Sequence, residues 1–242
     1  MGRESRSRLL PFLLLALGLA LLARADDALA PGLSTEQTRA LESRMRTFFG
    51  EGAARRFGAW RELLARLQAA PPDEQIYEVN RFFNLLDFVD DEPLWRAKDY
   101  WATPAEFLGA GAGDCEDFAI AKFFSLLELG IAEDRLRITY VKALRLNQFH
   151  MVLAYYPQAD AMPLILDNID GAIRLADERD DLLPIYSFNG ASLWLARAQG
   201  AGQRVGGSER LGLWQELRER MLNGRWRRPG NAPPALGAEV VP

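Results

Sequence analysis

Gly113-Asp114-Cys115-Glu116-Asp117-Phe118-Ala119-Ile120-Ala121-Lys122 holds the only cysteine in 242 residues. Three carboxylates crowd the sulfur, and an apolar segment follows: Phe118, Ala119, Ile120, Phe123, Phe124, Leu126 and Leu127. That pattern predicts a helix from about Cys115 to Leu129, apolar nearly all round and therefore central, with Gly130 as its C-terminal cap. A cysteine in the first turn of such a helix meets unpaired N–H groups that favour a thiolate and can receive an oxyanion. The neighbouring carboxylates oppose the thiolate, and a bound cation is the simplest way to offset them. Upstream, Gly109-Ala110-Gly111-Ala112-Gly113 lets the backbone turn sharply. No Gly-Lys-Ser/Thr follows, so it is not a phosphate loop.

Downstream the period changes. Leu136 to Leu144 alternates, with Leu136, Ile138, Tyr140 and Lys142 on one side. Phe149 to Tyr156 is nearly continuous and apolar, as for a strand covered on both faces. It contains His150, the only histidine. Pro157 to Asp160 reads as a turn and Pro163 to Leu166 as a short strand leading into Asp167. A turn centred between Gln158 and Ala159 sets Asp167 opposite His150 on one face of the sheet. A slip of one residue would part them. Cysteine, histidine and aspartate on separate elements make a nucleophile, a base and an orienting carboxylate.

Before the cysteine the chain is helical. Ser34 and Gln37 form a capping box opening a helix to about Phe49. Phe57, Trp60, Leu63, Leu64 and Leu67 mark a second helix ended by Pro71-Pro72, and Ile76, Val79, Phe83 and Leu86 a third. These stripes are core packing. Residues 88–102 are irregular and rich in Asp, Trp and Tyr. Thr103-Pro104-Ala105-Glu106 starts a short helix. Beyond the third strand, residues 171–183 are charged and looped, 185–195 add a strand or two, and Leu211 to Leu222 forms a last helix.

Arg3, Arg6 and Arg8 precede an apolar run from Leu9 to Leu22, and Ala23-Arg24-Ala25 offers small residues at the cleavage positions. This is the layout of a secretory signal, residues 1–25. The run is shorter than the roughly 20 residues of a spanning helix, so no stable membrane insertion is expected after cleavage. The leader carries four Arg and one Glu, so its removal makes the net charge of −4 more negative still. An acidic chain without a basic stretch is a poor partner for nucleic acid. Residues 26–33 read as a flexible lead-in, 34–225 as a single domain, and the Pro/Gly/Ala-rich 226–242 as a disordered tail. An exported chain with a lone cysteine has no internal disulfide; the sulfur is inert in a core, paired with another chain, or reactive.

Gly-Asp-Cys-Glu-Asp-Phe-Ala, followed by Gln-Phe-His-Met-Val-Leu and Leu-Asp-Asn, resembles the bacterial transglutaminase-like cysteine peptidases, specifically the LapG family of periplasmic adhesin proteases. Tyr100-Trp101-Ala102-Thr103-Pro104 is similar to that family as well. The resemblance covers roughly residues 35–195. It implies an α+β, papain/transglutaminase-like fold with the catalytic helix packed on an antiparallel sheet. It implies Cys115 as nucleophile, His150 as base and then acid, and Asp167 as orienting residue. It implies Ca²⁺ held by Asp114, Glu116 and Asp117, completed by carbonyls or water. The implied substrate is the N-terminal region of a giant surface adhesin, cut in the periplasm at a di-alanine site to release it and disperse a biofilm. The implied regulator is an inner-membrane cyclic-di-GMP receptor that sequesters the protease, with Trp95 and Trp101 as conceivable contacts, although core packing is at least as good an account of each. Acyl transfer to an amine, as in true transglutaminases, shares the thioester step. A non-catalytic calcium-dependent binding module sharing the fold is the other alternative.

Overall fold

A computed structural model describes residues 33–195 and 202–230. The expected signal segment, most of the lead-in and residues 231–242 of the expected tail lie outside the described residues.

The helices form where caps and apolar stripes predict them. The helix α1 (Thr35–Phe49) opens on Ser34, whose side chain accepts from the Gln37 N–H while Gln37 answers to the Ser34 backbone. It is followed by α2 (Glu51–Leu67) and α3 (Pro72–Phe83), where Pro72 occupies the first turn. A two-residue strand β1 (Asp87–Phe88) comes next. The stretch read as irregular then contains a single helical turn, α4 (Asp91–Trp95), closed by Arg96 in the left-handed region at φ 51°. Thr103 and Glu106 cap α5 (Pro104–Ala110) reciprocally. Gly111, at φ 74°, ends it, and the chain continues as β2 (Ala112–Gly113), parallel to β1. The helix α6 spans Cys115–Glu128.

The sheet follows: β3 (Leu136–Ala143), β4 (Gln148–Tyr155), β5 (Leu164–Leu166), β6 (Arg174–Leu175), β7 (Leu182–Phe188), β8 (Leu193–Leu195) and β9 (Gln203–Gly206). Its order is β6-β5-β4-β3-β7-β8-β9, with every neighbour antiparallel. The segment expected to loop from 171 to 183 therefore holds a short edge strand and the start of β7. A final helix α7 (Gly212–Leu222) packs Trp214 against Phe123, Phe124 and Phe188.

Period-2 alternation sorts the sheet residues between two cores. Leu136, Ile138, Met151, Leu153, Tyr155, Leu166 and Phe188 join α1–α3, α5 and α6 in the main core. Val141, Val152, Ala154, Tyr156 and Ile165 form a smaller core on the other face, under Ala176 and Leu182. Buried α6 is tied to α2 by the Trp60 indole N–H, which donates to Ser125 Oγ at 2.9 Å. Trp95 and Trp101, weighed as exposed partner contacts, are buried, and Trp101 stacks on Phe188. The packed chain also runs past residue 225. Trp226 lies against Phe48 and Phe49, and the Gly230 N–H donates to Leu94 O at 2.6 Å. No helix among the described residues is long and apolar enough to cross a membrane.

Candidate active site

Cys115 is the first residue of α6, and Asp114 stands before it without capping the helix through its side chain. The first-turn N–H groups, which have no partner within a helix, are thereby left free of that side chain. The sulfur donates to Glu116 Oε2 at 3.1 Å. The backbone N–H of Met151 also faces the thiol and favours its charged form, against burial and the carboxylates. This contact has a topological cause. The strand β5 pairs with β4 only along Leu153–Tyr155, so beyond it β4 has no neighbour on that side at His150 and Met151. The helix α6 packs against β4.

The structure brings His150 and Asp167 together. Nε2 of the imidazole lies 2.7 Å from Asp167 Oδ1, and both side chains are buried. The contact leaves Nδ1 for a second partner. The expected direct opposition is corrected in detail. Leu153 pairs with Leu166 and Tyr155 with Leu164, so the register extended by one residue sets Asp167 opposite Val152. The turn is one residue later than expected. Asp167 becomes a diagonal neighbour of His150 and stays on the same face, because the shift preserves the alternation.

Burial alone would raise Asp167. The His150 contact, the Ile169 N–H at 2.9 Å and Arg179 at 2.8 Å instead hold it well below the usual carboxylate range. Sequence reasoning missed Arg179, since nothing in a charged loop marks one of its two arginines. It also passed over Lys122, fully buried on α6, whose ammonium is brought down to about 7 by burial against the opposing pull of Asp167.

Beside the sulfur lies a second cluster. Asp91, Asp114 and Asp117 each bring a carboxylate oxygen within 4.8 Å of the others, and Asp91, Asp99 and Glu116 do the same. The expected set is thus divided: Asp114 and Asp117 group with Asp91, and Glu116 with Asp91 and Asp99, both from the stretch read as irregular. The long gap in sequence hid them. Asp117 is buried, with Oδ1 accepting from the Ala102 N–H at 2.7 Å. A Cβ on Gly113 would stand 2.4 Å from Asp117 Oδ2, so glycine is required there for close approach. Burial and then mutual repulsion raise Asp91 to about 7 and Asp114 to about 11, and push Asp117 up as well. Cys115 is raised as well, by burial first and then by Glu116 and Asp114. Asp91 Oδ1, Asp114 Oδ1 and Asp117 Oδ2 are buried without a hydrogen-bond partner. Buried, orphaned, hard oxygen donors converging from two segments fit a divalent cation such as Ca²⁺.

These features match known proteins. The family model of the bacterial transglutaminase-like cysteine proteinases matches residues 65–189. Legionella pneumophila LapG in an EGTA-treated structure is 41% identical, with a TM-score of 0.69, covering 79% of this chain and 100% of that one. A calcium-bound structure of the same Legionella protein is 42% identical, with a TM-score of 0.66, covering 76% and 98%. No curated protein sequence matches. With half the chain inside the family model and the LapG fold reproduced around Cys115, this chain belongs to the bacterial transglutaminase-like cysteine proteinases, in the LapG family.

Proposed function

We propose that the protein is a calcium-dependent cysteine endopeptidase in which Cys115 is the nucleophile, His150 the general base and then acid, and Asp167 the orienting residue. The observation that carries this reading is the meeting at the open edge of β4. The Met151 N–H faces the Cys115 thiol, and the adjacent His150 is clamped to Asp167 at 2.7 Å.

With Nε2 held by Asp167, His150 keeps Nδ1 to take the thiol proton. The thiolate attacks a peptide carbonyl, and the first-turn N–H groups of α6 receive the oxyanion. His150 returns its proton to the leaving amine, and water then opens the thioester by the same route reversed. Asp114, Glu116 and Asp117, with Asp91 and Asp99, are the residues that would hold Ca²⁺. When bound, the ion supplies positive charge that offsets the carboxylates around the sulfur.

The resemblance to LapG supports the remaining terms. The substrate is the N-terminal region of a large surface adhesin cut at a di-alanine site in the periplasm. The outcome is release of the adhesin and biofilm dispersal, restrained by sequestration on an inner-membrane cyclic-di-GMP receptor. Incubating the mature chain with an adhesin N-terminal fragment, with calcium or with a chelator, tests this by intact mass. Two products summing to substrate plus water, formed only with calcium and not by Cys115→Ala, are expected. Cleavage by Cys115→Ala would refute the nucleophile. An uncut fragment that instead gains an added amine donor would point to acyl transfer.

A further inference from the structure

Both oxygens of Asp167 are committed. Oδ1 accepts from His150 at 2.7 Å and from the Ile169 N–H at 2.9 Å. Oδ2 accepts from Arg179 Nη2 at 2.8 Å. The guanidinium is itself gripped, with Nε 2.8 Å from Asp181 Oδ1 and Nη2 3.0 Å from Asp181 Oδ2. Arg179 is only 4% exposed. It leaves the 3₁₀ turn Ala176–Glu178, and its turn is stitched to the end of β3 by the Leu144 N–H, which donates to Asp181 O at 2.8 Å. Imidazole, carboxylate, guanidinium and carboxylate thus form one row of fixed members.

A carboxylate held at one oxygen can rotate away from its histidine, whereas one held at both cannot. A planar guanidinium suits that task because its fork fixes direction as well as charge. Its charge also matters to the imidazole. An uncompensated buried Asp167 would favour the imidazolium, and a fully protonated histidine cannot accept the thiol proton. The other ionisable groups near this pair are Cys115, whose thiol the neighbouring Met151 N–H faces, Lys122 on α6 and Asp181 behind Arg179. The segment after α3 contributes only the Asn84 amide, on Asp167 O at 2.8 Å. Buried Lys122 can give up its proton near neutral pH, so Arg179 is the permanent cation.

We infer that Arg179 is a positioning residue of the active site, which fixes the orientation of the Asp167 carboxylate and offsets its charge so that His150 is aimed and kept available as a neutral base. This rests on reading His150 and Asp167 as base and orienting residue. The test exploits the single histidine of the chain. The full mature chain, prepared without a histidine tag and labelled with ¹⁵N-histidine, is titrated by NMR as wild type, Arg179→Met, Arg179→Lys and Asp167→Asn. Cleavage of the adhesin fragment is measured in parallel.

Arg179→Met is expected to raise the His150 midpoint by about one pH unit and to lower kcat about tenfold with KM little changed. Arg179→Lys keeps the charge and loses the fork, so the midpoint stays near wild type while kcat falls part of the way. A folded Arg179→Met with an unmoved midpoint and wild-type kcat overturns the inference. If that variant does not fold, Arg179→Lys decides alone, and an unchanged kcat overturns the positioning role. Asp167→Asn separates the two levels. If it shifts the His150 titration and cuts kcat while Arg179→Met does neither, only Arg179 is wrong. If Asp167→Asn also does neither, the assignment beneath it fails.

Discussion

Glu116 has two calls on one carboxylate: its Oε2 takes the Cys115 thiol at 3.1 Å, and it shares a cluster with Asp91 and Asp99. A carboxylate that accepts the thiol proton keeps the sulfur neutral, while one turned toward a cation releases it. Joint Asp114→Ala and Glu116→Ala substitution is therefore expected to abolish calcium binding and cleavage together, and calorimetry with unchanged Ca²⁺ affinity would refute the site. Asp91 belongs to both carboxylate groups, so Asp91→Asn should weaken Ca²⁺ binding by about ten- to a hundredfold in the same measurement. At this scale the sequence disclosed the residues that stand in its short motifs: Cys115, His150, Asp167 and the acids flanking the sulfur. It could not disclose Asp91, Asp99 or Arg179, because a carboxylate or guanidinium brought in by a loop carries no period and no fixed spacing. The His150–Asp167 pairing was legible through parity. The turn was misplaced by one residue, yet the two side chains kept a common face.

The element that organises the rest is α6, and its supports are aromatic. Phe123 and Phe124 meet Trp214 of α7, which also contacts Phe188 of β7, so helix and sheet share one fully buried indole. Trp214→Ala is expected to cost about 3–5 kcal/mol of stability, read as a lower urea midpoint at unchanged slope. Long elements were readable because caps and apolar stripes recur over many residues: α1 begins on its capping box and α5 on its own. Short ones were not. The strands β6 and β9 hold two and four residues, too few for alternation to rise above chance. They are ordered by the ladders they join rather than by their own pattern. The single turn of α4 is fixed likewise, by Asp91 accepting the Tyr100 N–H.

At the scale of the whole molecule, the acidic pocket ties stability to pH. Asp91 is raised to about 7, and Asp99, Asp114 and Asp117 are raised too, chiefly by burial. Between about pH 4 and pH 7 the chelated folded protein retains protons that the unfolded chain has given up, so its stability falls as pH rises through that window. Melting in EGTA should give a higher Tm at pH 5 than at pH 7, and saturating calcium should raise the Tm most at pH 7. A Tm in EGTA that rises from pH 5 to pH 7 would contradict the burial of these acids.

The far end of the chain secures the same pocket. The Arg227 N–H donates to Glu106 Oε1 at 2.7 Å, the Arg227 guanidinium reaches Trp95 O, and the Gly230 N–H reaches Leu94 O. Leu94 and Trp95 lie on the helical turn that carries Asp91. A polypeptide is made from its first residue onward. The turn bearing Asp91 has its first tie, to Tyr100, close by in the chain, and its ties to Arg227 and Gly230 only after more than half the chain has been made. Cys115 and its neighbouring acids are made early, and these last ties to the pocket are made late. A chain that stops short of residue 227 lacks both ties to the turn that carries Asp91.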